Sequence, residues 1–138
     1  MGEFGLIQHL TKDFPIHHEA SKTAIGDDAA VLEYPGGHQT LISTDLLLEG
    51  VHFDLAWMPL MHLGYKAVTV NLSDIAAMNA IPKQILVSIG ISNRFSVEAL
   101  EELFKGIRAA CENYKIDLIG GDTSSSAAGL SISVTVIG

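Results

Sequence analysis

Basic residues are scarce in this sequence. Lys and Arg number 8 against 16 Asp and Glu, giving a formal net charge of -8. Nucleic-acid affinity comes chiefly from clustered Lys and Arg, so the charge argues against a phosphate-backbone binder, and an acidic surface also repels anionic membranes. Cysteine is nearly absent as well. Cys111 stands alone, so no internal disulfide can form and a cytoplasmic location is expected. No stretch approaches the roughly 18 apolar residues of a membrane span. The opening MGEFGLIQHL also lacks the basic region and apolar run of a secretory signal. The sequence contains no G-x-x-x-x-G-K-[ST] loop, no G-x-G-x-x-G after a strand, no G-x-S-x-G elbow and no H-E-x-x-H. A nucleotide site of the P-loop or dinucleotide-fold kind is thereby excluded. What remains is a chain of 138 residues, 48% hydrophobic and without low-complexity runs, which is enough to bury the core of one globular domain.

The apolar pattern alternates between helix and strand periods. Glu3 to Leu10 reads as a short helix, and Thr11 to Ala24, with Pro15, His17 and His18, as an irregular mobile segment without core. Ala29 to Tyr34 and Gln39 to Thr44 are strand-like runs around the turn residues Pro35, Gly36 and Gly37. Leu63 to Ala80 carries helical spacing and Pro82 stops it. Gln84 to Ile91 reads as a buried strand. Ser96 is placed to cap a helix whose stripe runs from Val97 through Leu103, Ile107 and Ala110 to Tyr114. Leu118 to Gly120 reads as a short strand and Leu130 to Ile137 as an alternating one. The fold class is therefore mixed α/β. The chain stops at Gly138 directly after a strand, which reads as a fragment of a longer protein.

Acidic residues recur at the edges of these apolar elements. The motifs are Gly26-Asp27-Asp28-Ala29-Ala30, Ser43-Thr44-Asp45, Asn71-Leu72-Ser73-Asp74 and Gly120-Gly121-Asp122-Thr123. Singly, each has an ordinary explanation as a turn or cap. Asp74 is the hardest to explain that way, because it lies in a largely apolar helix where a buried carboxylate needs a partner. Asn71, three residues earlier, shares its face. Asp45 and Asp122 are expected to project from strand ends, where α/β proteins commonly bind ligands, and the glycines before Asp122 would admit a phosphate. If these carboxylates converge, two of them about 5 Å apart repel by roughly 3 kcal/mol at an effective dielectric near 20, so a cation is required. Oxygen ligands without a Cys or His cluster favour Mg²⁺. Such a site suits phosphoryl transfer, with phosphate hydrolysis also open on these grounds.

In this order and spacing the motifs resemble the thiamine-monophosphate kinases. The match adds Glu3-Phe4-Gly5-Leu6-Ile7, Ile25 before the first acidic string, Gly50-Val51-His52-Phe53, Gly64-Tyr65-Lys66-Ala67 and Leu118-Ile119, and so covers nearly the whole chain. The wider superfamily includes aminoimidazole ribonucleotide synthetase, selenophosphate synthetase and a hydrogenase-maturation protein; it shares the acidic scheme but fits these strings less well. The resemblance implies ATP-dependent phosphorylation of thiamine monophosphate to thiamine diphosphate. It implies that Asp28, Ser43, Thr44, Asp45, Asp74 and Asp122 bind several Mg²⁺ ions, that Gly121 and Asp122 touch ATP, and that His52 contacts thiamine monophosphate. Asp27 is given no role, shaping the turn that aims Asp28 being one reading of it.

The same resemblance implies a central, mostly antiparallel mixed sheet with two main helices on one face, and a homodimer in which two sheets associate as a barrel-like assembly. It also implies a second, carboxy-terminal domain carrying an arginine for ATP and further ligands. The 138 residues alone are therefore expected to fold and dimerise but to show little kinase activity. The competing readings are a superfamily relative acting on another substrate, and a non-catalytic dimerisation or metal-binding module.

Overall fold

A computed structural model describes residues 2–24 and 26–138. Ile25 of the first acidic string lies outside the described residues. The elements run α1 (Glu3–Thr11), β1 (Ser21–Thr23), β2 (Ala30–Tyr34), β3 (His38–Leu48), α2 (Leu60–Ala77), β4 (Gln84–Ile91), α3 (Val97–Tyr114), β5 (Asp117–Ser125) and β6 (Leu130–Ile137). The six strands form one sheet in the order β1-β2-β3-β6-β4-β5. Every pairing is antiparallel except β4 with β5, which are joined through α3 as parallel neighbours require.

The alternation in β6 decides which face becomes the core. Leu130, Ile132, Val134 and Val136 are buried, while Ser131, Ser133, Thr135 and Ile137 turn to the other side. Their lateral neighbours Ile85, Val87 and Ile89 on β4 join the same core. Leu63, Ala67, Val68, Leu72 and Ile75 of α2 and Leu103, Ile107 and Ala110 of α3 complete it. Two main helices thus cover one face, as the composition of their stripes requires. The other face is left open among the described residues, with Leu46 53% exposed upon it.

The helix boundaries follow local chemistry. Ser96 accepts a hydrogen bond from the Ala99 amide at 3.1 Å and starts α3, as a side-chain oxygen at the N-cap should. Lys115, left-handed at φ 57°, ends it. Left-handed Asn79, φ 59°, closes α2 before Pro82 is reached, so the helix stops three residues short of Ala80. The two helices meet backbone to backbone. A Cβ on Gly64 would stand 2.0 Å from the Leu103 carbonyl oxygen, and one on Gly106 would stand 1.9 Å from that of Met61.

Three expectations require correction. The segment from Thr11 to Ala24 is not wholly irregular, because Ser21–Thr23 adds to the edge of β2. Strand β3 continues to Leu48 and β5 to Ser125. Asp45 and Asp122 consequently sit inside strands and not beyond their ends, since ladder hydrogen bonds to β6 and β4 carry the extended backbone past them.

Candidate active site

Strand parity and one helix face bring the first group of candidates together. Ser43 and Asp45 are two residues apart on β3 and so face the same side, the side covered by α2. The Ser43 hydroxyl lies 3.3 Å from Asp74 Oδ2 on α2 and 3.1 Å from the Asp28 carbonyl oxygen in the turn before β2. Asp45 stands within hydrogen-bonding reach of Asp74. Burial, followed by the hydrogen bond and charge of Asp74 and the charge of Glu3, pushes the Asp45 carboxyl up from 3.8 to about 6. With no cation beside it, the Asp45 carboxyl therefore keeps its proton to a higher pH than a free one.

Asn71 marks the same helix turn. It is 1% exposed, donates from Nδ2 to the Ala67 carbonyl at 2.6 Å, and keeps an Oδ1 without a partner among the described residues. A buried oxygen left this way calls for a donor or a cation. Among the described residues no three His, Cys, Asp or Glu side chains come together as a closed metal cluster. Two carboxylates with nearby hydroxyl, carbonyl and amide oxygens make a partial, all-oxygen set. That fits Mg²⁺, which keeps water and takes phosphate oxygens, better than a metal needing a full protein cage.

His52 is held by a tight turn after β3. Its Nδ1 accepts from the Leu48 amide at 2.9 Å, its own amide donates to the Leu48 carbonyl at 2.9 Å, and the Gly50 amide bonds the Phe53 carbonyl at 2.8 Å. Phe53, 7% exposed, pins the turn to the core. Glu49 at its base pairs with Arg94 and accepts from the Leu130 amide at 3.0 Å. Sequence reading assigned no role to Glu49 or Glu3. Glu3 joins Asp45, Leu46, Leu47 and His52 in lining a cavity of 580 Å³ along β3.

Thr44 and Asp122 lie elsewhere. The Thr44 hydroxyl meets that of Thr135 at 3.0 Å, on the face opposite Ser43 and Asp45. Asp122 pairs with Ser88, which pairs with Ser133, which pairs with Leu46, so Asp122 belongs to the open face. Three strand spacings separate it from β3, about 14 Å at the usual interval. There it lines a 310 Å³ depression with Leu46, Ser88, Ser131 and Ser133, and its Oδ1 accepts from the Thr123 amide at 2.9 Å. Within one chain, then, the six expected metal ligands do not form one centre. Asp27 Oδ1 accepts from the Asp28 amide at 2.8 Å, a bond that shapes the turn holding Asp28. Gly121 is required for a reason the sequence did not suggest: a Cβ there would stand 1.8 Å from the Val87 carbonyl oxygen, so the close approach of β4 demands glycine.

The chain as a whole has well-matched counterparts. The chain is 42% identical over 138 residues to a thiamine-monophosphate kinase of Bacillus subtilis, covering 100% of this chain and 42% of that protein. It is 38% identical over 138 residues to the kinase of the same name from Aquifex aeolicus, again covering 100% and 42%. A solved structure of AaThiL complexed with AMPPCP and TMP superposes with a TM-score of 0.85 at 38% identity, covering 99% of this chain and 41% of that one. The chain thus spans about two fifths of the length of the curated relatives it matches. The family model of the AIR synthase related protein, N-terminal domain, matches residues 26–138, and the chain belongs to that family.

Proposed function

We propose that these residues form the metal- and nucleotide-binding part of a kinase that transfers the γ-phosphoryl group of ATP to thiamine monophosphate. The observation that carries the proposal is the meeting of Asp45, Asp74, Ser43 and the Asp28 carbonyl on the helix-covered side of β3. The names of the relatives and the AMPPCP and TMP held by the solved neighbour support the choice of substrates.

In this reading Asp28, Asp45 and Asp74 hold magnesium, with Ser43 orienting Asp74. Bound there, the ion supplies positive charge to phosphate oxygens and lowers the cost of their approach to the carboxylates. The chain's own residues do the rest by positioning. Ser43 ties α2 to the turn before β2, so the carboxylates are placed before substrate arrives and need little reorganisation. His52 is held by its backbone contacts to meet thiamine monophosphate. Gly121 and Asp122 meet ATP along β5, Asp122 from the open face, where it can take a further Mg²⁺ and where Thr44 lies on the same side of the sheet. A phosphate oxygen of the acceptor is already a competent nucleophile, so no protein base is assigned.

The open sheet face also supports a homodimer in which two sheets meet, since an uncovered face bearing Leu46 favours a second copy. Sedimentation of the 138-residue chain at micromolar concentration checks this, with a monomer counting against it.

The deciding experiment is ATP consumption dependent on both thiamine monophosphate and Mg²⁺, measured on the protein expressed from its full reading frame. Turnover with thiamine monophosphate supports the proposal. A folded protein that ignores thiamine monophosphate but consumes ATP with another acceptor would replace it with a superfamily relative.

A further inference from the structure

The cavity along β3 contains a donor and an acceptor that the acidic motifs do not account for. A backbone N–H can only donate, so the 2.9 Å bond from the Leu48 amide leaves His52 Nδ1 unprotonated. The ring is therefore the neutral tautomer with its proton on Nε2, which has no partner among the described residues. The turn that enforces this is closed by backbone bonds on both sides and anchored by Phe53, so the tautomer is a property of the fold. Glu3 reaches the same cavity from α1. Its carboxylate accepts only, and it likewise has no side-chain partner among the described residues. The rest of the lining is Thr44, Asp45, Leu46, Leu47 and Ser133, of which the two leucines offer apolar surface to a ring.

We propose that Glu3 and His52 together read the heterocycle of the acceptor substrate, His52 donating from Nε2 to a ring nitrogen and Glu3 accepting from an adjacent exocyclic amino group. An aminopyrimidine presents that acceptor–donor edge. This assignment rests on the thiamine monophosphate reading above and makes Glu3 a specificity residue for it. A site built to hydrogen-bond a substrate N–H rejects the analogue lacking it far more strongly than an apolar pocket rejects a small change of shape.

The test compares thiamine monophosphate with its analogue bearing a hydroxyl in place of the pyrimidine amino group, in the wild-type protein from its full reading frame and in Glu3→Gln. Wild type is expected to prefer the amino substrate by at least about tenfold in kcat/KM. Glu3→Gln is expected to lose most of that preference through a higher KM for thiamine monophosphate. Glu3 is exposed on a surface helix, so the variant should fold, and circular dichroism with a thermal melt checks that directly. Nitrogen-15 NMR of His52 in the 138-residue chain provides a second readout that needs no activity, the expected signature being protonated Nε2 and bare Nδ1. An unchanged preference in Glu3→Gln overturns the assignment to Glu3, and a protonated Nδ1 overturns that to His52. Absence of any turnover of thiamine monophosphate by wild type would instead remove the reading on which both rest.

Discussion

Replacing Asp45 by Asn should flatten one part of the pH dependence of stability. The Asp45 carboxyl is raised from 3.8 to about 6, first by burial and then by Asp74. Below pH about 4 it is protonated in both folded and unfolded chains and costs nothing. Between about 4 and 6 the unfolded chain releases its proton while the folded chain retains it, so stability falls as pH rises, and above about 6 the loss is complete. A shift of this size corresponds to about 3 kcal/mol at full value. Asp45 is solvent-exposed at one edge, and screening reduces the expected loss to about 1 kcal/mol, or roughly 4 °C in Tm for a domain of this length. Urea unfolding in chelator at several pH values from 4.5 to about 7.5 measures it, with the difference between wild type and Asp45→Asn cancelling every other titrating group. Asp45→Asn should gain about 1 kcal/mol on wild type across that range. At the upper end, Mg²⁺ at about ten times its Kd should restore about 1.4 kcal/mol to wild type and little to the variant. Parallel pH profiles for the two proteins would refute the placement of Asp45 against Asp74.

Asp74→Asn removes a carboxylate from the same group while keeping its shape. It should lower thiamine monophosphate-dependent ATP turnover of the full-frame protein at least about 100-fold, equivalent to about 3 kcal/mol in the barrier; near-normal turnover would show that Asp74 holds no metal. Gly106→Ala should destabilise the chain by about 2 kcal/mol in urea melts, because forcing a Cβ into the Met61 carbonyl outweighs the roughly 1 kcal/mol that alanine gains in a helix. Glu49→Ala should cost about 1–3 kcal/mol by leaving the Leu130 amide without its acceptor and Arg94 without its partner. Glu49→Gln, which keeps the oxygen, should recover much of that loss, and equal losses would mean the hydrogen bond is unimportant.

Elements whose side chains divide between core and solvent were legible in the sequence. The alternation of β6 and the stripe of α3 were read correctly because burial selects apolar residues at those periods. Strand β1 was missed because Ser21, Lys22 and Thr23 bury little, and their pairing is set by β2. Strand β5 was read too short for a related reason. It is exposed along its length, so the Gly-Gly-Asp-Thr-Ser-Ser run carries no alternation, and only the parallel ladder to β4 extends it. The mixed, mostly antiparallel sheet with two helices on one face is as the resemblance implied; the patterning of single elements does not by itself order the strands.

The candidate site was legible in composition but not in arrangement. Asp74 stood out because a carboxylate in an apolar helix needs a partner, and the structure supplies Ser43 and Asp45. Ser43-Thr44-Asp45 looked like three ligands, yet consecutive residues on a strand alternate faces, and once β3 is known to extend through Asp45 the Thr44 hydroxyl must leave the group. The same parity, carried across β6 and β4, sends Asp122 to the open face. A single six-ligand centre in one chain is therefore incompatible with the sheet. In the proposed kinase the ligands divide into two sets, one beneath α2 around Asp45 and Asp74, the other on the open face around Asp122, with Gly121 required by β4 whether or not ATP is near. Full activity then needs both faces of one sheet to reach the same substrates. The cavity at the rim of β3, lined by Thr44 and Asp45 alike, is open to residues from both sides of the sheet.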